Sequence, residues 1–395
     1  MTWKSVVSDK VQFIDAITDL EVQIGASKKK DSNIQTLCIV FVSSHHKNNY
    51  HLIPKIIMKK INPDILIGCS GTGVIGNGIE LEDQPGISIA YAELKNETIK
   101  PFYLETKDLP DSDAPPNTWE QKLNIPIEKC NAILLLSDPF TFNTDQLLSG
   151  LDYAYPNAIK SGGLISGGKK NGDNAIFLNN KIYNSGAVGI SFSGNTKFEI
   201  LVSKGCKPIG NPMVVTKCED NVIMELDNNK KPLDIIEDLY KKNDYRNKYL
   251  IRNSLQMGII MDRIGSISPK ENYLIRNILG ASEIDGCIEV GEFINEGQIV
   301  QFHVKDSETA NEELNQLIKN RNSDIKNNPP ESVLMFSCLA RGNYLFNEYN
   351  HETNIVKKII KNIPITGFFS NGEINQIGDQ TFLNGYTSSF TILKS

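Results

Sequence analysis

Apolar and polar residues form a block that repeats three times along the chain. Each block opens with a continuous apolar run, continues through a segment with helical spacing, and ends in a second apolar run that enters a glycine- and serine-rich turn. The copies span residues 36–75, 131–168 and 332–374, and their first runs read TLCIVFVSS, NAILLLSDPF and SVLMFSCLARG. The repeat predicts one reused strand–helix–strand unit. Because such a crossover joins parallel strands, we expect a parallel pair in each copy.

Further elements are predicted between the copies. Apolar residues at helical spacing from Val11 to Ile24 predict a helix, and Ser307 starts another that runs to about Lys319. Alternating or continuous apolar runs predict strands at Gly86–Leu94, Tyr249–Ile260, Tyr273–Leu279, Cys287–Val290 and Ile299–Val304. A hairpin is expected between Ala175–Leu178 and Ala187–Phe192, a polar loop over Asn320–Pro330, and a second hairpin in the terminal TFLNGYTSSFTIL.

These patterns predict an α/β to α+β protein of two related halves, with mixed β-sheets covered by helices. A chain of 395 residues is long enough for two or three domains. The segment GCKPIGNP, rich in proline and glycine, marks the predicted boundary between domains 1–204 and 205–395.

Composition limits the function classes. A net charge of −6 argues against non-specific binding to nucleic acid or to an anionic membrane. The start has no signal-peptide pattern, and no apolar window is long enough to span a bilayer. The seven cysteines are scattered and form no CxxC, which indicates free thiols in a reducing cytosol and no zinc site. We therefore expect a cytoplasmic protein.

No catalytic signature is present, and we predict no catalytic residues. Gly71–Gly76 is a literal GxGxxG, but the following NGIELEDQP cannot form the helix that a dinucleotide site requires. Phosphate-loop and GxSxG patterns are absent. The rival hypothesis is an enzyme with Cys69 or Cys338 as nucleophile, for which Arg341 near Cys338 is the only hint.

A polar cluster occurs at the strand ends of the third copy. It contains Cys338, Arg341, Asn371 and Glu373, and the equivalent turn of the first copy carries Ser70. Arg341 and Glu373 could pair with each other structurally, or they could clamp a small zwitterionic ligand.

We place the ligand site at the junction of the halves, where three glycine-rich turns are predicted to meet. Gly68 and Gly372 would let the backbone approach a ligand closely. The alternative is that these glycines serve only tight turns and close sheet packing. The turns are 68–73, 161–168 and 367–373.

His303 is the remaining candidate. Strand alternation places it on one face with Gln301 and Lys305, and that face is either exposed or lines a polar cavity.

Several segments together resemble the FIST family, an intracellular sensory module of signal transduction. They run in family order through an N-terminal FIST half (1–204) and a C-terminal FIST half (205–395). The matching segments are IGCSGTGVIGNGIELEDQPGISI, LLSDPF, SGGLISGG, SKGCKPIG, YLIRNILGA, VQFHVKD, FSCLARG and PITGFFSNGEI.

The resemblance implies a non-enzymatic sensor of a small ligand, with amino acids as candidates, and no obligatory cofactor. One branch of the family is described as haem-binding nitric-oxide sensors that work with histidine kinases; in that case His303 would be the axial ligand. Another branch is fused to an F-box. Output would therefore pass through a partner such as a histidine kinase or a ubiquitin-ligase-like assembly, or the chain would act as a protein-binding scaffold.

Overall fold

The computed structural model describes residues 2–25, 33–111, 113–260 and 273–394. The chain divides into two compact units. The first unit comprises residues 1–203, 314–383 and 387–395, and the second comprises residues 204–313 and 384–386. Among the described residues, none of the helices has both the length and the apolar character of a transmembrane span.

The first copy of the repeat lies in the N-terminal segment. Helix α1 buries one face because its apolar residues recur at helical spacing, and α2 tolerates Pro54 in its first turn, where a proline costs no hydrogen bond. The elements are β1 (Thr2–Ser8), α1 (Phe13–Ile24), β2 (Ile34–Ser43), α2 (Ile53–Lys60), β3 (Ile65–Gly71), β4 (Val74–Gly76), β5 (Ile79–Leu81), β6 (Ile87–Lys95) and β7 (Thr98–Leu104).

The second copy follows. Helix α4 begins where the Asn143 side chain accepts a hydrogen bond from the backbone N–H of Gln146, which caps the helix. The elements are α3 (Pro116–Leu123), β8 (Ala132–Ser137), α4 (Thr144–Ala154), β9 (Ile159–Leu164), β10 (Ile176–Leu178), β11 (Lys181–Tyr183), β12 (Ala187–Ser193) and β13 (Lys197–Ser203).

The remaining chain forms most of the second unit and then the third copy. From the start of the second unit the elements are β14 (Cys206–Pro208), β15 (Met213–Glu219), β16 (Val222–Leu226), α5 (Pro232–Lys242), α6 (Tyr245–Ser254), β17 (Leu255–Ile260), β18 (Tyr273–Ser282), β19 (Cys287–Val290), β20 (Ile299–Lys305) and α7 (Ser307–Asn320). The last elements are α8 (Asn322–Asn327), β21 (Ser332–Cys338), α9 (Gly342–Phe346), α10 (His351–Ile359), β22 (Ile365–Ser370), β23 (Glu373–Ile377), β24 (Gln380–Asn384) and β25 (Ser388–Lys394).

Three mixed sheets of six strands make up the first unit, one for each copy of the repeat. The two repeat strands are parallel neighbours in every copy: β2 with β3, β8 with β9, and β21 with β22. The strand orders are β1-β6-β2-β3-β10-β11, β7-β12-β8-β9-β23-β24 and β13-β25-β21-β22-β4-β5. The predicted fold class and the predicted parallel pairs are therefore confirmed.

The sheets are connected by exchanged hairpins. The β4–β5 hairpin, which follows the first copy, pairs with β22 of the third. The β10–β11 hairpin, which follows the second copy, pairs with β3 of the first. Strand β23, which follows the third copy, pairs with β9 of the second. Each copy thus completes the sheet of another in a cyclic order, so distant segments of the sequence meet at the ends of the repeat strands.

The continuous apolar runs of the repeat strands are explained by burial on both faces. Alternate residues of β2, β8 and β21, such as Phe41, Leu134 and Phe336, enter one core shared by the three sheets. The intervening residues, such as Val40 and Leu135, pack against helices on the other face of each sheet. The first unit therefore has sheets around a common centre and helices outside them.

The second unit is an antiparallel sheet that closes on itself. Its order is β14-β20-β15-β16-β19-β18-β17, and β17 also pairs with β20. Its interior is filled by one apolar cluster to which both Phe302 and Met257 contribute, and α5 and α6 pack against the sheet. Closure through β17 and β20 reduces the exposed strand edges that could pair with other chains, and the short β14 remains at the edge.

Four local predictions are wrong. Residues 249–254 of the predicted strand Tyr249–Ile260 are helical, because α6 starts at Tyr245, where Asp244 caps it, and continues to Ser254. The predicted loop Asn320–Pro330 contains α8. Strand β10 pairs with β11 and not with β12, and the predicted terminal hairpin is absent because β24 lies in the second sheet and β25 in the third. In both hairpin cases the exchange between copies sends neighbouring strands to different sheets.

The two compact units have different boundaries from the two predicted domains. The first unit's N-terminal segment ends at Ser203, close to the predicted boundary, but the unit also contains the third repeat copy. That copy joins the first unit because β13 pairs with β25 and β4 pairs with β22. The division into domains 1–204 and 205–395 stays a prediction.

Candidate functional site

The three predicted turns lie together inside the first unit. Ser166 Oγ accepts a hydrogen bond from the backbone N–H of Thr72 at 2.8 Å and donates to the carbonyl of Phe369. Ser70 Oγ donates to the carbonyl of Ser166 at 3.1 Å, and the N–H of Phe369 donates to the carbonyl of Gly73 at 3.1 Å. One serine thus connects all three copies of the repeat.

Close strand approach accounts for one glycine in each copy. A Cβ at these positions would lie less than 2 Å from a carbonyl oxygen of the parallel neighbour, which no side chain can occupy. Gly68, predicted as a ligand contact, therefore has a packing role in β3. The pairs are Gly68 with Val40 (1.9 Å), Gly162 with Leu135 (1.8 Å) and Gly367 with Met335 (1.7 Å).

Arg341 lies in a buried ion pair. Its side chain is 1% exposed, and Nη2 and Nε donate to Oε1 of Glu352 at 2.7 and 3.0 Å. Nη2 also donates to Ser203 Oγ at 3.2 Å, and the guanidinium lies 5.6 Å from the ring centroid of Phe346. The sequence left open a structural ion pair between Arg341 and Glu373. The ion pair is instead formed with Glu352, so that prediction is wrong about the partner of Arg341.

Glu352 was missed by sequence reasoning, although a signal was present. It lies in the first turn of α10, three and four residues before Ile355 and Val356, whose side chains are buried. That spacing places Glu352 on the buried face of the helix. Its Oε2 accepts from Ser337 Oγ at 2.7 Å, so each oxygen of this carboxylate has a partner.

Glu373 is fully buried next to this pair. Its Oε1 accepts from Ser370 Oγ and its Oε2 from Thr387 Oγ1, both at 2.7 Å. Burial raises the pKa of Glu373 to about 8, although these hydrogen bonds and Arg341 act in the opposite direction. The adjacent Asn371 is exposed and Gly372 is buried.

Two further carboxyl groups reach the cluster from the segment that follows the first copy. Glu80 Oε1 accepts from the N–H of Thr353 at 2.7 Å, whereas its buried Oε2 has no hydrogen-bond partner among the described residues. Burial, and then the charge of Glu352, raise the pKa of Glu80 to about 8. Glu82 accepts from the N–H of Asn343 at 3.0 Å, and burial raises its pKa to about 7. Glu80 and Glu82 alternate with the apolar residues Ile79 and Leu81. This pattern predicts that the two carboxyl groups lie on the solvent face of a strand, so no signal for their burial is present in the sequence.

The two candidate nucleophiles are buried. Burial raises the pKa of Cys69 well above its ordinary value, which disfavours the reactive thiolate. Cys338 is also buried, at the end of β21, and Ser70 next to Cys69 is occupied in the turn contacts described above. None of the seven cysteines, all of which the structure describes, forms a disulfide bond.

His303 belongs to the second unit, whereas the three turns belong to the first. The imidazole is 3% exposed, so the alternative of a solvent-exposed face is wrong at His303, and the polar cavity stays a prediction. Its Nδ1 lies 3.0 Å from the carbonyl of Gln301, the Tyr273 ring is 4.8 Å away, and a Cβ at Gly258 would lie 2.4 Å from the ring. Burial lowers the pKa of His303 to about 4.

Haem ligation would need a ring nitrogen of this imidazole open to a space as wide as the porphyrin. Nδ1 lies against the Gln301 carbonyl, and Tyr273 and Gly258 pack against the ring, so the described residues around His303 do not fit that role. The part of the chain that the structure describes also contains no group of three or more His, Cys, Asp or Glu residues that could hold a metal ion.

Comparison with known proteins gives matches along most of the chain. The model of the FIST N domain matches residues 36–229, and that of the FIST C domain matches residues 232–376. An uncharacterized protein of Mycobacterium tuberculosis is 28% identical over 356 residues, which cover 90% of each chain. An uncharacterized protein of Mycobacterium bovis is 27% identical over 358 residues, again 90% of each chain.

Among solved structures, a cyanuric acid hydrolase covers 100% of both chains with 6% identity and a TM-score of 0.38. At that TM-score the likeness carries no argument about fold or activity.

Proposed function

Because the chain belongs to the FIST family, whose domains are sensory domains of signal transduction, we propose that it is a cytoplasmic sensor of a small ligand. It acts through a partner protein and has no catalytic activity of its own. The buried state of Cys69, with its raised pKa, supports a binding protein over a thiol enzyme. The partner is a signalling protein such as a histidine kinase or a ubiquitin-ligase-like assembly.

The observation that carries the proposal is the unmatched oxygen of Glu80. Buried polar atoms nearly always have hydrogen-bond partners, and one without a partner inside an otherwise satisfied network is costly. Glu80 Oε2 lacks a partner among the described residues, whereas both oxygens of Glu352 and of Glu373 are satisfied. A donor group on a ligand would satisfy it.

The charges around Arg341 favour a ligand with an ammonium group. The cluster has one guanidinium for the three buried carboxyl groups of Glu80, Glu352 and Glu373, and Glu352 already occupies it. The raised pKa values of Glu80 and Glu373 hold a proton on these groups at neutral pH. An ammonium ion stabilises the ionised carboxylates and displaces a proton. An amino acid has this group, and the exposed Asn371 beside Glu373 is a candidate contact for its carboxylate.

Thermal stabilisation by individual amino acids and simple amines tests the proposal, since a ligand that binds the folded state raises the melting temperature. A ligand that displaces one proton should bind about tenfold more tightly for each unit by which the pH is raised, as long as the pH is below 8. Glu80→Gln and Glu373→Gln should abolish the stabilisation. Glu21→Gln is the matched control, because Glu21 pairs with Lys60 at the surface. Stabilisation that is independent of pH, or that survives both variants, would contradict the proposed site.

A further inference from the structure

Helix α6 of the second unit has one face that the described residues leave largely exposed. Tyr245, Lys248, Tyr249 and Arg252 are spaced i, i+3, i+4 and i+7, so they lie on one side of the helix. Tyr245 is 89% exposed and Tyr249 is 63% exposed. We call these four residues the tyrosine–basic face. The two rings lie one helical turn apart, so they form one aromatic patch and not scattered exposed residues.

The other charges of α6 already have partners. Asp244 caps the helix by accepting from the N–H of Asn247 at 2.8 Å. Arg246 points elsewhere and pairs with Asp306 and Glu308. No acidic side chain therefore lies among the four residues of the tyrosine–basic face.

The two cations of the face remain available. Neither Lys248 nor Arg252 forms an ion pair with any residue that the structure describes, and Lys248 lies 5.8 Å from the ring centroid of Tyr240. On the neighbouring helix α5, by contrast, Lys241 and Lys242 pair with acidic residues one turn earlier, at 2.6 and 3.1 Å. Of these two helices, only α6 therefore carries basic side chains that form no ion pair with a described residue.

We infer that the tyrosine–basic face docks an acidic segment of the signalling partner. The inference rests on the proposed function, which requires a partner protein for output. Tyrosine and arginine are the residues that most often carry binding energy at protein interfaces, and the two unpaired cations supply charge complementarity to carboxylates. A nucleic acid fits less well, because two cations on a single helix face of a chain with net charge −6 offer few phosphate contacts.

The probe is a fluorescein-labelled amphipathic peptide with leucine on one face and glutamate on the other, titrated by anisotropy against the full chain. The same peptide with lysine in place of glutamate is the charge control. We expect the acidic peptide to bind about tenfold or more tightly than the basic one at low salt. Tyr245→Ala/Tyr249→Ala and Lys248→Ala/Arg252→Ala should each weaken binding about tenfold.

Lys241→Ala/Lys242→Ala removes the same positive charge from α5 and should leave binding within about twofold of the wild type. Failure of the wild type to prefer the acidic peptide would overturn the inference, and so would equal loss in the α5 control. Competition by single-stranded DNA or by phosphatidylserine vesicles that depends on the same four residues would assign the face to another occupant.

Thermal stabilisation by small ligands is measured in parallel on the same variants. If ligand stabilisation persists while peptide binding fails, the docking inference falls and the proposed function stands. If ligand stabilisation fails while peptide binding persists, the proposed small-ligand site falls and the docking surface stands.

Discussion

Replacing Arg341 by methionine tests the buried network most directly. The substitution keeps much of the side-chain volume but leaves the fully buried Glu352 carboxylate without its cation. It also removes the hydrogen bond to Ser203. All three residues belong to the first unit, so the effect should appear in the unfolding of that unit.

The magnitude follows from the burial of both partners. A surface ion pair contributes up to about 1 kcal/mol, whereas breaking a buried pair by removing one partner costs about 3–5 kcal/mol because an uncompensated charge stays in the interior. Removing both charges in Arg341→Met/Glu352→Leu avoids that penalty. The double variant still loses the partners of Ser203 and Ser337, so we expect it to be about 1–2 kcal/mol less stable than the wild type.

Urea unfolding followed by tryptophan fluorescence is the suitable measurement. The chain has two tryptophans, Trp3 and Trp119, and both are buried in the first unit. The fluorescence transition therefore reports the first unit without interference from the second. Lys60→Met is the matched control, because it breaks a surface pair with Glu21 in the same unit and should cost no more than about 1 kcal/mol.

Two results would refute the reasoning. A loss below about 1 kcal/mol in Arg341→Met would mean that the pair is solvated or replaceable, contrary to its burial. A double variant no more stable than Arg341→Met would mean that the cost comes from lost packing and not from the uncompensated carboxylate of Glu352. The double-variant cycle separates these cases because the residues are in direct contact.

Three further outcomes are expected. Because burial raises the pKa of Glu373 to about 8, its contribution to stability is complete below the ordinary pKa of glutamate and is lost as the pH rises to about 8. The unfolding free energy should fall by about 1.4 kcal/mol per pH unit for this group, and Glu373→Gln should remove that slope in urea titrations; an unchanged slope would contradict the buried carboxyl. Gly367→Ala should cost about 3 kcal/mol or more by circular dichroism, whereas Gly385→Ala, which meets open space, should be neutral; equal effects would contradict the close strand approach. In native alkylation followed by mass spectrometry, the partly exposed Cys287 should be labelled long before the buried Cys69, and rapid labelling of Cys69 would favour the enzyme hypothesis.

The repeat strands and their parallel pairing could be predicted from the sequence alone. An apolar run, a helical segment and a second run are local patterns, and the handedness and length of a crossover leave few ways to join the strands. The strand-end turns could be located for the same reason. The sequence therefore places residues such as Ser70 and Arg341 at the correct ends of strands.

The partners of those residues were decided by tertiary structure. Glu80 reaches Thr353 from 273 positions away because the β4–β5 hairpin is exchanged into the third sheet. Arg341 pairs with Glu352 and not with Glu373 because α10 packs its first turn against the end of β21. Sequence patterns record which face of an element is apolar, but a buried charge takes the partner that packing brings within hydrogen-bond distance. The composition of this site therefore depends on which surfaces meet, and no local pattern in the chain encodes that.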